Sequence, residues 1–230
     1  MSRSASRITP TLLELIREDL QAVLERDPSC SGRAEALLHA GWQGLALHRL
    51  AHRLHRRGHR PSAAALTRLA RLLTGMEIHA AACIGRRAFI DHGFGVVIGE
   101  TAVVGDDVTL YHGVTLGSRG WLHDSGPGRR RHPVIGDRVM IGTGASVLGP
   151  VTVGDDCRIT AHGLVLRNLP APTTHHPSHH PLRTPALSPA LSPAPRARAH
   201  PRPPHTNGPA PQHPAPQHPA PEPAGEGQGR

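Results

Sequence analysis

Histidine and arginine carry most of the chemistry available to this chain. Its 230 residues include 19 His, and all 26 strong cations are Arg. One set of positions stands out once the repeat described below is corrected for its insertions: His92, His112, Thr143 and Ala161. Each lies two residues after a repeat's Ile or Leu, so the four stack into one row headed by a histidine. Such a row makes a track for an elongated ligand, although stacked equivalent residues are also what any repeat produces. Metal chemistry has weaker support. His48 and His52 stand at i, i+4, but no acidic partner motif accompanies them, and a solvated or interfacial helix face explains them better. Cys30, Cys83 and Cys157 are odd in number and lack any CxxC or zinc spacing.

The elements that must position these residues fall into three regions. Residues 1–75 read as helices. Thr11-Leu12-Leu13-Glu14 is a capping-box pattern, and Leu12, Leu13, Ile16, Leu20, Val23 and Leu24 follow at helical spacing. Asp27-Pro28 stops that helix. A second helix is expected over roughly residues 34–57, closed by Gly58, and a third from near Pro61 to Gly75. From Ile78 the pattern changes to an apolar residue every six positions: Ile78, Ile84, Ile90, Ile98, Val104, Leu110 and Leu116, then Ile135, Ile141, Val147, Val153, Ile159 and Val165. Four residues after most of these sits a small or apolar residue, such as Ala82, Ala88, Val108 or Ala145. A period of six is neither helix nor plain strand; it is the hexapeptide signature of a parallel β-helix. Two residues are inserted between Ile90 and Ile98, and thirteen between Leu116 and Ile135. The β-helix is expected over 76–170, with the loop at 118–134. Beyond 170 the chain is low complexity: 17 of its 24 prolines and 8 of its histidines fall in 171–230. A disordered Pro/His-rich tail is expected there.

Composition narrows the function. Only five residues are Phe, Trp or Tyr, too few for the stacking platform of a single-strand nucleic-acid binder. The net charge of +9 reads as arginine-rich genome composition rather than as a nucleic-acid surface. No signal-peptide core and no run of 18 apolar residues is present, so a soluble, cytoplasmic protein is expected, with no membrane partner.

At this point the sequence resembles the bacterial serine O-acetyltransferase family, over roughly residues 14–170. The segments that carry the resemblance are REDLQAVLERDP (17–28), EIH (77–79), IDHGFGVVIGETAVVGDDVTLYHGVTLG (90–117) and RHP (131–133). The resemblance implies an N-terminal α-helical domain followed by a left-handed parallel β-helix, against the usual right-handed crossover. It also implies a homotrimer or dimer of trimers, with active sites between neighbouring β-helices. The implied reaction moves acetyl from acetyl-CoA to the hydroxyl of L-serine, giving O-acetylserine and CoA on the way to cysteine. Acetyl-CoA is the implied co-substrate, and no metal is expected.

The resemblance also assigns residues. His92 matches the general base, Glu77 the carboxylate behind it, and His132 the second active-site histidine, which orients substrate or supports the oxyanion. Arg131 matches the clamp on the serine carboxylate. Asp91 and Asp27 match the acids on the ammonium and hydroxyl side, although each also suits a plain turn. Gly117, Ser118, Thr143 and Ala161 match the CoA contacts, and two of these belong to the row found independently. Arg129 and Arg130 suit either CoA phosphates or solvent. The match departs from the family pattern at several points: Ala80 replaces its Pro, Ser118 its second Gly, the loop SRGWLHDSGPGRRRHP differs from its short Gly/Lys-rich one, the match stops after LVLRNLPAPTT (164–174), and the terminus lacks the final Ile that docks the family's sulfhydrylase partner, so that complex is not expected. The alternatives are a hexapeptide acetyltransferase for another hydroxyl, a β-helical zinc enzyme built on His92, His112 and His132, and an inactive paralogue.

Overall fold

Four helices precede the coil in the computed structural model, which describes residues 10–120 and 129–177. The middle of the 118–134 loop and the Pro/His segment from 178 onward lie outside the described residues. Helix α1 (Leu12–Arg26) starts at the expected capping box: Thr11 Oγ1 accepts the Glu14 N–H at 3.3 Å, and Glu14 Oε2 accepts the Thr11 N–H at 2.7 Å. The expected second helix is two. α2 (Arg33–Leu38) and α3 (Ala40–Arg56) are separated at His39, whose backbone is extended (ψ 119°). The break serves packing. A Cβ at Gly41 would lie 1.8 Å from the Ile90 carbonyl oxygen, so the start of α3 rests directly on the coil backbone. His39 caps α3 through its own ring, and histidine is not among the usual cap residues, so the sequence carries no boundary signal there. α4 (Arg60–Thr74) has Pro61 in its first turn and ends at Gly75 (φ +71°), as expected.

The remainder is a triangular coil of very short parallel strands in three sheets. The first face stacks Glu77–Ile78, Val97–Ile98, Thr115–Gly117, Ser146–Leu148 and Leu164–Val165. The second stacks Cys83–Ile84, Val103–Val104, Val134–Ile135 and Thr152–Val153. The third stacks Phe89–Ile90, Thr109–Leu110, Met140–Ile141, Arg158–Ile159 and Thr174–His175. That last strand pairs with Arg158–Ile159, so strand pairing continues into the segment read as tail. All thirteen period-six residues except Ile84 are buried, and the small residues four positions on complete one continuous core. This is why a chain with so few rings can fold: Val, Ile, Leu and Ala fill an interior that each coil shares with its neighbours.

The corner between the second and third faces shows how coils lock together. Asp155 Oδ1 accepts the Asp137 N–H, Asp137 Oδ1 the Asp106 N–H, and Asp106 Oδ1 the Arg86 N–H, at 2.7–2.9 Å. The next residues, Arg87, Asp107, Arg138 and Asp156, all take left-handed backbone (φ +53° to +59°). Opposite charges offset that strain: Arg87 Nε lies 2.8 Å from Asp107, and Arg138 pairs with Asp156 through two 2.8 Å contacts. Among the described residues, Arg26 and Arg86 are likewise paired with carboxylates across the helix–coil boundary. No described helix is long and apolar enough to cross a membrane.

His48 and His52 lie on the interfacial side of α3. His52 Nδ1 is 2.9 Å from the Ala80 carbonyl, and His48 is 3% exposed. Burial pushes the His48 imidazole well below its ordinary value. The unfolded chain therefore takes up a proton below about pH 6.5 while the folded chain does not. Stability is expected to fall as pH drops from 7 to 5, by at most about 1.4 kcal/mol per pH unit for this group. His39, His52 and His79 are depressed by burial in the same direction. Urea midpoints at fixed protein concentration should show the slope, and His48→Met should reduce it without abolishing it.

Candidate active site

Two corners of the coil carry the polar side chains singled out in the sequence. At the corner entering the first face, strand register aligns Ile90 with Leu110, Leu110 with Ile141 and Ile141 with Ile159. The same register places His92, His112, Thr143 and Ala161 in one row. The His92 and His112 rings meet edge to face, with centroids 5.8 Å apart. The His92 side chain is 74% exposed, and Asp91 Oδ1 lies 3.8 Å from its Nε2. Its backbone is left-handed (φ +59°), and Gly93 follows at φ +76°. Here the coil absorbs its two inserted residues, and the resulting bend turns the imidazole outward.

The end of α1 brings Asp27 to this corner. Asp27 Oδ1 accepts the Ser29 N–H at 2.9 Å and the Ser29 hydroxyl at 2.6 Å. Those bonds hold its carboxyl below the usual carboxylate range. One oxygen therefore forms the turn before Pro28, while the other faces His39 Nε2 at 3.6 Å. His39 Nδ1 accepts the Trp42 N–H, so its neutral ring carries the proton on Nε2, toward Asp27. His39 was not singled out in the sequence, which reads it as an interior position of the expected second helix.

The second cluster lies where the first face turns into the second. Arg131 and His132 return from the long insertion beside Glu100 and Thr101. Arg131 Nη2 donates to Glu100 Oε2 at 2.6 Å, which holds the Glu100 carboxyl below its usual range. Thr101 Oγ1 accepts the N–H groups of both Arg131 and His132 at 3.1 Å. His132 is 8% exposed, and its Nδ1 lies 3.1 Å from the Thr101 N–H. Glu77, at the start of the first face, is paired with Arg71 Nη1 of α4 at 2.7 Å. Within one chain the carboxylate beside His92 is therefore Asp91, and Glu77 is engaged by Arg71.

Gly117 closes its strand on the first face opposite Leu148, and Ser118 Oγ accepts the Gly120 N–H at 3.3 Å. Thr143 and Ala161 lie on the corner entering the same face. Small residues thus stand at both ends of the first face, and the Arg119 guanidinium lies across its far end on the carbonyls of Leu148 and Leu166.

Residues 1–46 match the profile of the serine acetyltransferase N-terminal region, and residues 132–166 that of the bacterial transferase hexapeptide, six repeats. The serine acetyltransferase of Mycobacterium tuberculosis is 50% identical over 164 residues, covering 69% of this chain and 68% of that protein. That of Helicobacter pylori J99 is 52% identical over 156 residues, covering 67% and 88%. The chain belongs to the serine acetyltransferase family. Its coil is accordingly the left-handed parallel β-helix expected. Among solved structures, Neisseria gonorrhoeae serine acetyltransferase in complex with serine aligns at TM-score 0.66 and 37% identity, over 71% of this chain and 65% of that one. The Brucella abortus serine acetyltransferase in complex with coenzyme A aligns at TM-score 0.66 and 40% identity, over 70% and 63%. The chain thus spans slightly under two thirds of those two structures.

Proposed function

We propose that this chain is a serine O-acetyltransferase whose active site is completed between two copies, in a trimer or dimer of trimers. The observation that supports this reading is the division of the polar residues. His92 faces outward from one corner with Asp91 and Asp27 beside it; Arg131, His132 and Glu100 belong to the next edge of the same prism, and Glu77 to the face between the two. Neither set holds both an exposed base and a fork for a carboxylate. Packing one prism's corner against its neighbour's other edge joins them.

In the completed site Arg131, steadied by Glu100, grips the serine carboxylate through a forked contact. Asp91 and Asp27 attract its ammonium group. His92 accepts the hydroxyl proton as that oxygen attacks the thioester carbonyl of acetyl-CoA, and Glu77 of the second copy fixes its tautomer. The tetrahedral intermediate collapses with cleavage of the carbon–sulfur bond, and His92 returns the proton to the departing thiolate. His132 donates to the oxyanion. Acetyl-CoA lies along Gly117, Ser118, Thr143 and Ala161. No nucleic acid, membrane, sulfhydrylase complex or metal enters this reading.

Release of CoA by the full chain tests the activity: L-serine should stimulate it and sugars should not, and no response to serine defeats the assignment. Subunit mixing tests the shared site. His92→Asn and Arg131→Ala variants should each be inactive, yet regain activity when refolded together, because some boundaries then carry two intact halves. Failure of the mixed species to recover would place both residues in one self-contained site.

A further inference from the structure

We propose that Thr101, together with Gly99, is a positioning residue that locks His132 as a neutral hydrogen-bond donor, with its proton fixed on Nε2. The proposal rests on the acyl-transfer reading of the site. It assigns the two histidines opposite duties: His92 moves a proton, and His132 never gives its proton up.

The argument starts from what each atom is able to do. A backbone N–H only donates, and the Thr101 N–H lies 3.1 Å from His132 Nδ1. Nδ1 is therefore an acceptor and carries no proton. In a neutral imidazole the proton must then sit on Nε2. The Thr101 hydroxyl points the same way. Its oxygen accepts the Arg131 and His132 N–H groups at 3.1 Å each. Both lone pairs are occupied, so its own proton is left to donate, and His132 Nδ1 lies 2.9 Å away. One threonine thus supplies two donors to one ring nitrogen and fastens the backbone of both residues in the pair that follows the insertion.

Gly99 fixes the remaining freedom of the ring. A Cβ at this position would lie 2.0 Å from both Cδ2 and Nε2 of His132, and 2.8 Å from Cε1. The ring edge rests on the Gly99 Cα, in a place that any side chain would fill. His132 is therefore held in direction by Gly99 and in tautomer by Thr101. A donor aimed in advance at the place where negative charge develops needs both constraints, since neither reorientation nor proton exchange then competes with the reaction.

Two measurements separate this proposal from the activity itself. In full-length protein labelled with 15N-histidine, long-range nitrogen–proton spectra should show His132, assigned by loss of its signals in His132→Gln, as the Nε2–H tautomer. Gly99→Ala, which displaces the ring from the Thr101 N–H, should replace that pattern with an averaged one. Thr101→Val keeps that N–H but removes the hydroxyl that also faces Nδ1 and accepts the Arg131 and His132 N–H groups, so it should admit a part of the Nδ1–H form, and Thr101→Ser should keep the wild-type pattern. A wild-type His132 with its proton on Nδ1 overturns the proposal whether or not serine is acetylated. In turnover, Thr101→Val should lower kcat by at least about tenfold, and by no more than the roughly 10²–10³-fold that loss of a whole oxyanion donor costs. Thr101→Ser should restore most of the loss. His132→Gln has no tautomer to lock, so whatever kcat it keeps, the Thr101→Val change should be nearly silent in that background. An equal loss from Thr101→Val in the wild-type and His132→Gln backgrounds would assign Thr101 a purely structural part.

Discussion

Replacing His92 by Asn is expected to lower kcat for serine-dependent CoA release by about 10²–10⁴-fold, the range supplied by a positioned general base. Asn is the informative substitution because of the backbone. Position 92 has φ +59°, a conformation that Asn tolerates and Ala does not. Alanine would therefore mix a strain penalty with loss of the base, whereas Asn removes proton transfer and little else. The side chain is 74% exposed within one protomer, so the unfolding midpoint should be nearly unchanged. CoA affinity, measured by calorimetry, should also hold, because Thr143 and Ala161 continue the row without it. A His92→Asn enzyme with unaltered kcat would remove proton transfer at this position from the mechanism.

The exposure of His92 also shows what was legible in the sequence. Period-six residues marked the interior almost residue by residue, since burial in a coil depends only on position within the repeat. Counting insertions placed His92 beside His112 because each strand register propagates to the next corner. What stayed hidden depends on groups brought close by stacking. His39 ends one helix and starts another because Gly41 must meet the Ile90 carbonyl, a contact 49 residues away in sequence. Thr101 sits within a segment that carried the resemblance, but its hydroxyl gains meaning only when the insertion returns Arg131 and His132 to it. The resemblance singled out Glu77; its pairing with Arg71 of α4 was not readable in the sequence. In each case the sequence holds the residue type, and the partner lies a helix or a coil away.

The same dependence on distant partners makes Arg49→Met the variant with the largest expected loss of stability. Asp19 of α1 is wholly buried, and Arg49 of α3 is 5% exposed. Arg49 Nε and Nη2 lie 3.0 and 3.1 Å from the two carboxylate oxygens, and the guanidinium also donates to the carbonyls of Ile84 and Gly85. Asp19 in turn accepts the Ala88 N–H at 3.1 Å. Two helices and the first coil therefore meet at one buried pair. Removing the guanidinium strands the carboxylate, at a cost of about 3–5 kcal/mol. Burial already pushes the Asp19 carboxyl up despite Arg49, and without Arg49 it must rise further. The sign of the pH dependence follows. A carboxyl whose folded pKa exceeds its unfolded value is penalised increasingly as pH rises from about 4, so the gap between Arg49→Met and wild type should be smaller at pH 5 than at pH 8. An Asp19→Ala, Arg49→Met double variant should be more stable than Arg49→Met alone, because no unpaired charge remains. Function should register the change as well. Asp27 ends the helix that Asp19 anchors, so loosening α1 should raise KM for serine more than it lowers kcat. Urea unfolding at fixed protein concentration across that pH range, beside serine saturation curves, measures both; a double variant no more stable than the single one would show that the pair does not act as a buried electrostatic unit.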